Sequence, residues 1–103
     1  MADDWKLPAL ASDGERLLAE SLGPAGLESI DHAIAKATPQ LFSKVARVVS
    51  DAMKAGGYSD EESAFELHVR RVIVLVEAGA LEAQGNLRRP RFSEVRLPAI
   101  GKR

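Results

Sequence analysis

The sequence predicts a mainly α-helical domain that closes with a small β-hairpin. Two observations carry this. From Ser12 to Ala78, apolar residues recur at helical spacing between Gly and Pro stops. After Gly79 the period shortens to alternation, as on half-buried strands. A chain of 103 residues, 46% apolar and 28% charged, is one domain of ordinary globular composition with enough surface to bury one core.

Residues 1–11 hold Pro8 and no clear period, so they read as an extended arm that Trp5, Leu7 and Leu10 could pin to the body. Ser12 and Glu15 have capping-box spacing and open a helix with Leu17, Leu18 and Leu22 on one face. Gly23-Pro24 ends it, and a second helix covers about 26–37, with Leu27, Ile30 and Ile34 aligned. Thr38 and Pro39 read as the N-cap and first position of a helix reaching Ala55. Its broad stripe of Leu41, Val45, Val48 and Ala52, flanked by Phe42, Val49 and Met53, fits a buried central helix. Gly56-Gly57 stops it. Ser59 and Glu62 form a second capping box for a helix over 59–78, and Gly79 follows as its terminator. Residues 80–84 and 92–97 have strand character, joined by a turn-forming segment with Gly85-Asn86 and Pro90. The predicted core centres on Phe42, Val45, Val49, Phe65, Val69, Ile73 and Val76.

Helix, turn, helix and hairpin in this order make a winged helix-turn-helix-like core at 38–98. An arm and helical lead-in at 1–37 precede it, and a basic tail at 99–103 follows, all as one domain. In this arrangement the 59–78 helix takes the recognition position and the 80–97 hairpin is the wing.

The stretches Phe42-Ser43-Lys44-Val45-Ala46-Arg47-Val48-Val49, Val76-Glu77-Ala78-Gly79-Ala80-Leu81-Glu82-Ala83-Gln84-Gly85-Asn86-Leu87 and Phe92-Ser93-Glu94-Val95-Arg96-Leu97 carry a resemblance. Across about residues 27–98 the chain resembles an uncharacterised bacterial domain-of-unknown-function family with a winged-helix-like C-terminal domain. In that family an aromatic residue, often Trp, occupies the position of Phe42, and members often follow a second uncharacterised domain. The resemblance implies a fold and brings no activity with it.

Several functional classes drop out on chemical grounds. The absence of cysteine excludes disulfides, cysteine-based zinc sites and thiol nucleophiles. No apolar run approaches the roughly 18 residues that a spanning helix needs, and the acidic start Met1-Ala2-Asp3-Asp4 is unlike a signal peptide, so no membrane partner and a cytoplasmic location are expected. Asp31 directly precedes His32 and Glu66 stands two residues before His68, each on a different helix face, so both histidines read as surface or boundary residues and no metal or other cofactor is expected. Ser12, Thr38 and Ser59 serve as caps, no nucleophile-elbow motif occurs, and Asp60, Glu61 and Glu62 complement a helix N-terminus. The chain is therefore not expected to be an enzyme.

Charge is unevenly spread. The net charge of −1 divides into −4 over residues 1–40, −2 over 41–87 and +5 over 88–103. Arg88, Arg89 and Arg91 at the hairpin tip, with Arg70 and Arg71 on the preceding helix, are the candidate phosphate or nucleic-acid contacts. Basic residues at a strand edge also serve simply to prevent aggregation. The recognition-position helix argues against a DNA reader, because Glu61, Glu62 and Glu66 at its start would face phosphate. Leu67, Val74 and Leu75 fall partly outside its core stripe and form a candidate partner surface, unless the N-terminal helices cover them. The leading expectation is a non-catalytic interaction module that binds a protein partner or a second copy. The alternative is a transcription-regulator-like DNA-binding protein with weak, non-specific phosphate contacts through a basic wing.

Overall fold

A computed structural model describes residues 4–99. The chain is mainly helical, with a small antiparallel sheet. Helix α1 spans Asp13–Ala37, strand β1 Ser43–Lys44, helix α2 Val45–Ala55, helix α3 Glu62–Glu77, strand β2 Glu82–Gly85 and strand β3 Ser93–Arg96, with a 3-10 turn at Pro90–Phe92 before β3.

The two helices expected before residue 38 are both present within the span of α1, divided at Gly23. The expected break is a kink, with Gly23 at φ 67° followed by Pro24, and helix resumes at once beyond it. The first capping box is half formed. Ser12 Oγ accepts the Glu15 N–H at 3.1 Å, but the Glu15 carboxylate turns to Arg70 instead of back to the cap. Ser59 and Glu62 form no box at all: α3 begins at Glu62 with Glu61 as its N-cap and no side-chain cap bond.

Thr38 is the C-cap of α1, not the N-cap of the next helix; its hydroxyl donates back to Ile34 O at 2.7 Å. Residues 39–44 then stay outside any helix, because β3 offers backbone partners at both ends of the segment. Leu97 N–H donates to Pro39 O at 2.8 Å, and Ser43 and Lys44 pair with Val95 and Glu94. Helix α2 therefore starts at Val45, six residues later than the Thr-Pro signal suggested. Only the distant β3 sequence supplies the alternative.

The hairpin has the expected position and gains a third strand. The sheet order is β1-β3-β2, with Ala83 opposite Val95 and Gly85 opposite Ser93. Strand β2 starts at Glu82 because Ala80 is used to end α3: Ala80 N–H donates to Leu75 O and Gly79 N–H to Val76 O. Gly85 is required at its position. Its φ is +85°, and a Cβ there would lie 2.7 Å from Phe92 O.

The core lies where α1, α2, α3 and the inner face of the sheet meet. Val45, Val49 and Val69 are fully buried as expected, whereas Phe42, Phe65, Ile73 and Val76 are only half-buried. Leu7 from the arm, Ile30 and Ile34 from α1, Leu81, and Val95 from β3 complete the interior. Helix α2 is amphipathic, with Arg47, Ser50, Asp51 and Lys54 exposed. The most enclosed helix is α3, where only Glu62, Val74 and Glu77 are exposed. No helix among the described residues is long and apolar enough to cross a membrane. Lys102 and Arg103 of the basic tail lie outside the described residues.

Candidate interaction surfaces

Helix α3 has the arm along one side and α1 along another, and the arginines expected to meet phosphate hold those elements in place. Arg70 grips Glu15 with two nitrogens, Nε to Oε2 at 2.5 Å and Nη2 to Oε1 at 3.0 Å. Its Nη2 also donates to Pro8 O at 3.0 Å, so one guanidinium joins α3, α1 and the arm. Arg71 makes a two-bond fork to Asp31, at 2.9 and 2.7 Å. That hydrogen bonding holds the Arg71 pKa above its ordinary range, despite partial desolvation. Arg70 and Arg71 thus tie α3 to α1 and the arm, and both guanidiniums are engaged by carboxylates of this chain.

The loop arginines divide among neighbours. Arg88 is bound to the arm: Leu7 N–H donates to Arg88 O at 2.7 Å, and Arg88 Nε donates to Leu7 O at 2.8 Å. Arg89 lies over the Phe92 ring, 4.7 Å from its centroid. Arg91 is exposed and lines a cleft with Trp5. The three are close in sequence without forming one cluster of unengaged cations.

The expected partner patch does not assemble. Leu67 is 3% exposed and belongs to the core, Leu75 is half-buried, and Val74 alone of the three is exposed. Glu66, expected on the open start of the helix, is 5% exposed and accepts the Ser12 hydroxyl at 2.8 Å.

His68 is fully buried, contrary to the expectation of a surface or boundary residue. Its Nδ1 lies 2.7 Å from Ala64 O, which can only accept, so the proton sits on Nδ1. Nε2 is left buried without a partner, and the Tyr58 ring stands edge-on at 4.9 Å between centroids. Desolvation pushes the imidazole pKa below its ordinary value, against the smaller opposing effect of the Ala64 bond. The unfolded chain therefore binds this proton first as pH falls. Stability contributed by neutral His68 is present above about pH 6.5 and is lost as pH drops towards the lower folded-state pKa. Melting temperature measured from pH 7.5 to 5 should fall with acidification. His68→Leu should remove much of that slope, and an unchanged slope would disprove the assignment.

A cleft of about 640 Å³ opens between α2, the turn into α3, the arm and the 3-10 turn. Trp5, Met53, Tyr58 and Phe65 supply its apolar lining, and Asp60, Glu61 and Glu62 stand beside Lys54 and Arg91. Trp5 meets Phe65 edge-on, with centroids 5.3 Å apart and planes at 72°. The cleft thus takes the only tryptophan and the only tyrosine of the chain. Trp5 reads from the sequence as an anchor of the arm, but no local pattern links it to residues near 60. Among the described residues there is no group of three or more His, Asp or Glu side chains arranged to hold a metal ion. Compared with known proteins, the chain is matched by no family model, no curated protein and no solved structure.

Proposed function

We propose that the chain is a non-catalytic, winged-helix-like module that engages a protein partner. The winged-helix-like reading draws support from the element order, with a short strand before α2 joining the C-terminal hairpin in one sheet. The observation that carries the functional reading is the enclosure of α3. A helix that reads DNA must offer a row of side chains to the major groove. Here the helix in that position exposes two carboxylates and one valine. Its two arginines are spent on Glu15 and Asp31. The non-catalytic reading is supported by the fixed roles of groups that could do chemistry, since Ser12 serves Glu66 and Glu15, and His68 is sealed in the core.

The alternative, phosphate contact through the wing, is favoured by Arg89 and Arg91 on one loop. Fluorescence anisotropy with labelled duplex DNA at stepped salt separates the two. The expected result is no sequence preference and, at low salt alone, weak association whose log–log slope corresponds to about two phosphates or fewer. Arg89→Ala with Arg91→Ala should remove it. A complex on the order of 10 nM at physiological salt with sequence preference would overturn the protein-module reading.

A further inference from the structure

We infer that the cleft between α2 and the start of α3 receives an arginine side chain from a basic segment of a partner protein. This rests on the protein-module reading and names the chemistry of the partner.

Two features of the cleft together select the ligand. The first is its aromatic lining. Trp5, Tyr58 and Phe65 come from the arm, the α2–α3 turn and α3, and each is only half-buried. Aromatic faces attract cations as well as apolar groups. The second is charge. Asp60, Glu61 and Glu62 line the same space, and among the described residues none of their carboxylates has a hydrogen bond or ion pair. Against Lys54 and Arg91 they leave one negative charge in excess. Acids at the start of α3 would complement its dipole without any ligand, but the dipole gives no reason for three rings to line the space beside them.

An anionic ligand would meet three carboxylates. A purely apolar one would cover the rings while desolvating those carboxylates without compensation. A guanidinium suits both, because its flat face lies on a ring while its edge donates two parallel hydrogen bonds to a carboxylate. A lysine ammonium has no such division between face and edge. The molecule already contains this arrangement elsewhere. Arg96 lies over the Phe42 ring, 4.4 Å from its centroid, while its Nε donates to Glu82 at 2.8 Å. The cleft offers rings and carboxylates of the same kinds, with Lys54 and Arg91 as the cations along its wall.

The test is an NMR titration of the full chain with a blocked Ala-Arg-Ala peptide and its citrulline counterpart, which keeps the shape and loses the charge. The arginine peptide should shift the Trp5 indole and the amides of Tyr58, Glu61, Glu62 and Phe65 saturably, and added salt should weaken it. Citrulline should bind about fivefold more weakly or worse. The exposed pair Glu61→Gln and Glu62→Gln should weaken the arginine peptide by a similar factor while leaving the rest of the spectrum in place. Equal binding of both peptides, shifts confined to other surfaces, or no shift at millimolar peptide would overturn the proposal. Shifts of the same residues on raising protein concentration alone would also overturn it, by making a second copy the occupant. A sequence-specific DNA complex in the anisotropy experiment would sink the module reading while leaving the peptide result standing. A partner held by another face would do the reverse.

Discussion

Replacing Val69 with Asp is expected to abolish the cooperative unfolding transition. Val69 is fully buried near the middle of α3, the helix that packs against both α1 and α2. A carboxylate there would have no partner and must either stay charged in an apolar interior or take up a proton, and neither avoids the cost of burial. That cost, together with the lost packing, is about 4 kcal/mol or more. It is comparable with the whole stability of many small domains, about 5–15 kcal/mol. Val69→Ala is the graded control, with an expected loss of roughly 2 kcal/mol for the missing methyl groups and the space they leave. Urea unfolding followed by circular dichroism reads both. Wild-type stability in the Asp variant would mean that the core is not where the structure has it.

The next largest loss is expected from Arg70→Met. It leaves Glu15, 2% exposed, without the cation that holds both its oxygens. Breaking one partner of a buried pair costs about 3 kcal/mol, since the remaining charge is desolvated and uncompensated. Pro8 O and Ala9 O would lose their donor as well. Removing both charges with Glu15→Leu and Arg70→Met should recover most of the loss, because the pair together gains little over apolar packing. A single variant as stable as wild type, or a double variant no better than the single, would show that the clamp does not carry α1. Arg70→Lys separates charge from geometry: one ammonium cannot reach two carboxylate oxygens and a backbone carbonyl with the same fork.

The parts of this structure that were legible in the sequence are those set by local signals. Gly79 ends α3 where expected, and Gly56 and Gly57 close α2. The change of period after residue 79 marked the hairpin. The misreadings share a cause. Thr38-Pro39 is a sound helix-start signal, overridden by strand partners more than 50 residues away at β3. Glu15 is a sound capping-box acid, overridden by Arg70, 55 positions later. A helical stripe with one buried face leaves Leu67 and Glu66 outside it, whereas both are buried. The arm and α1 supply further faces, and nothing near residue 66 announces them. The cleft was illegible for the same reason, since its rings come from residues 5, 58 and 65.

The pairing of Leu7 with Arg88 also bears on how the chain is made. It joins two segments 81 positions apart. A ribosome delivers residues in order, so Leu7 and Trp5 emerge long before the loop that receives Leu7 has been synthesised. During that interval the arm can meet only α3, through Arg70 and Phe65, and Leu7 lacks its backbone partner in the loop. Closing so large a loop lacks the early local contacts that speed helical bundles, so arm docking falls late in folding. A chain truncated after Leu87 should therefore leave residues 4–12 open to protease, and the full chain of 103 residues should protect them.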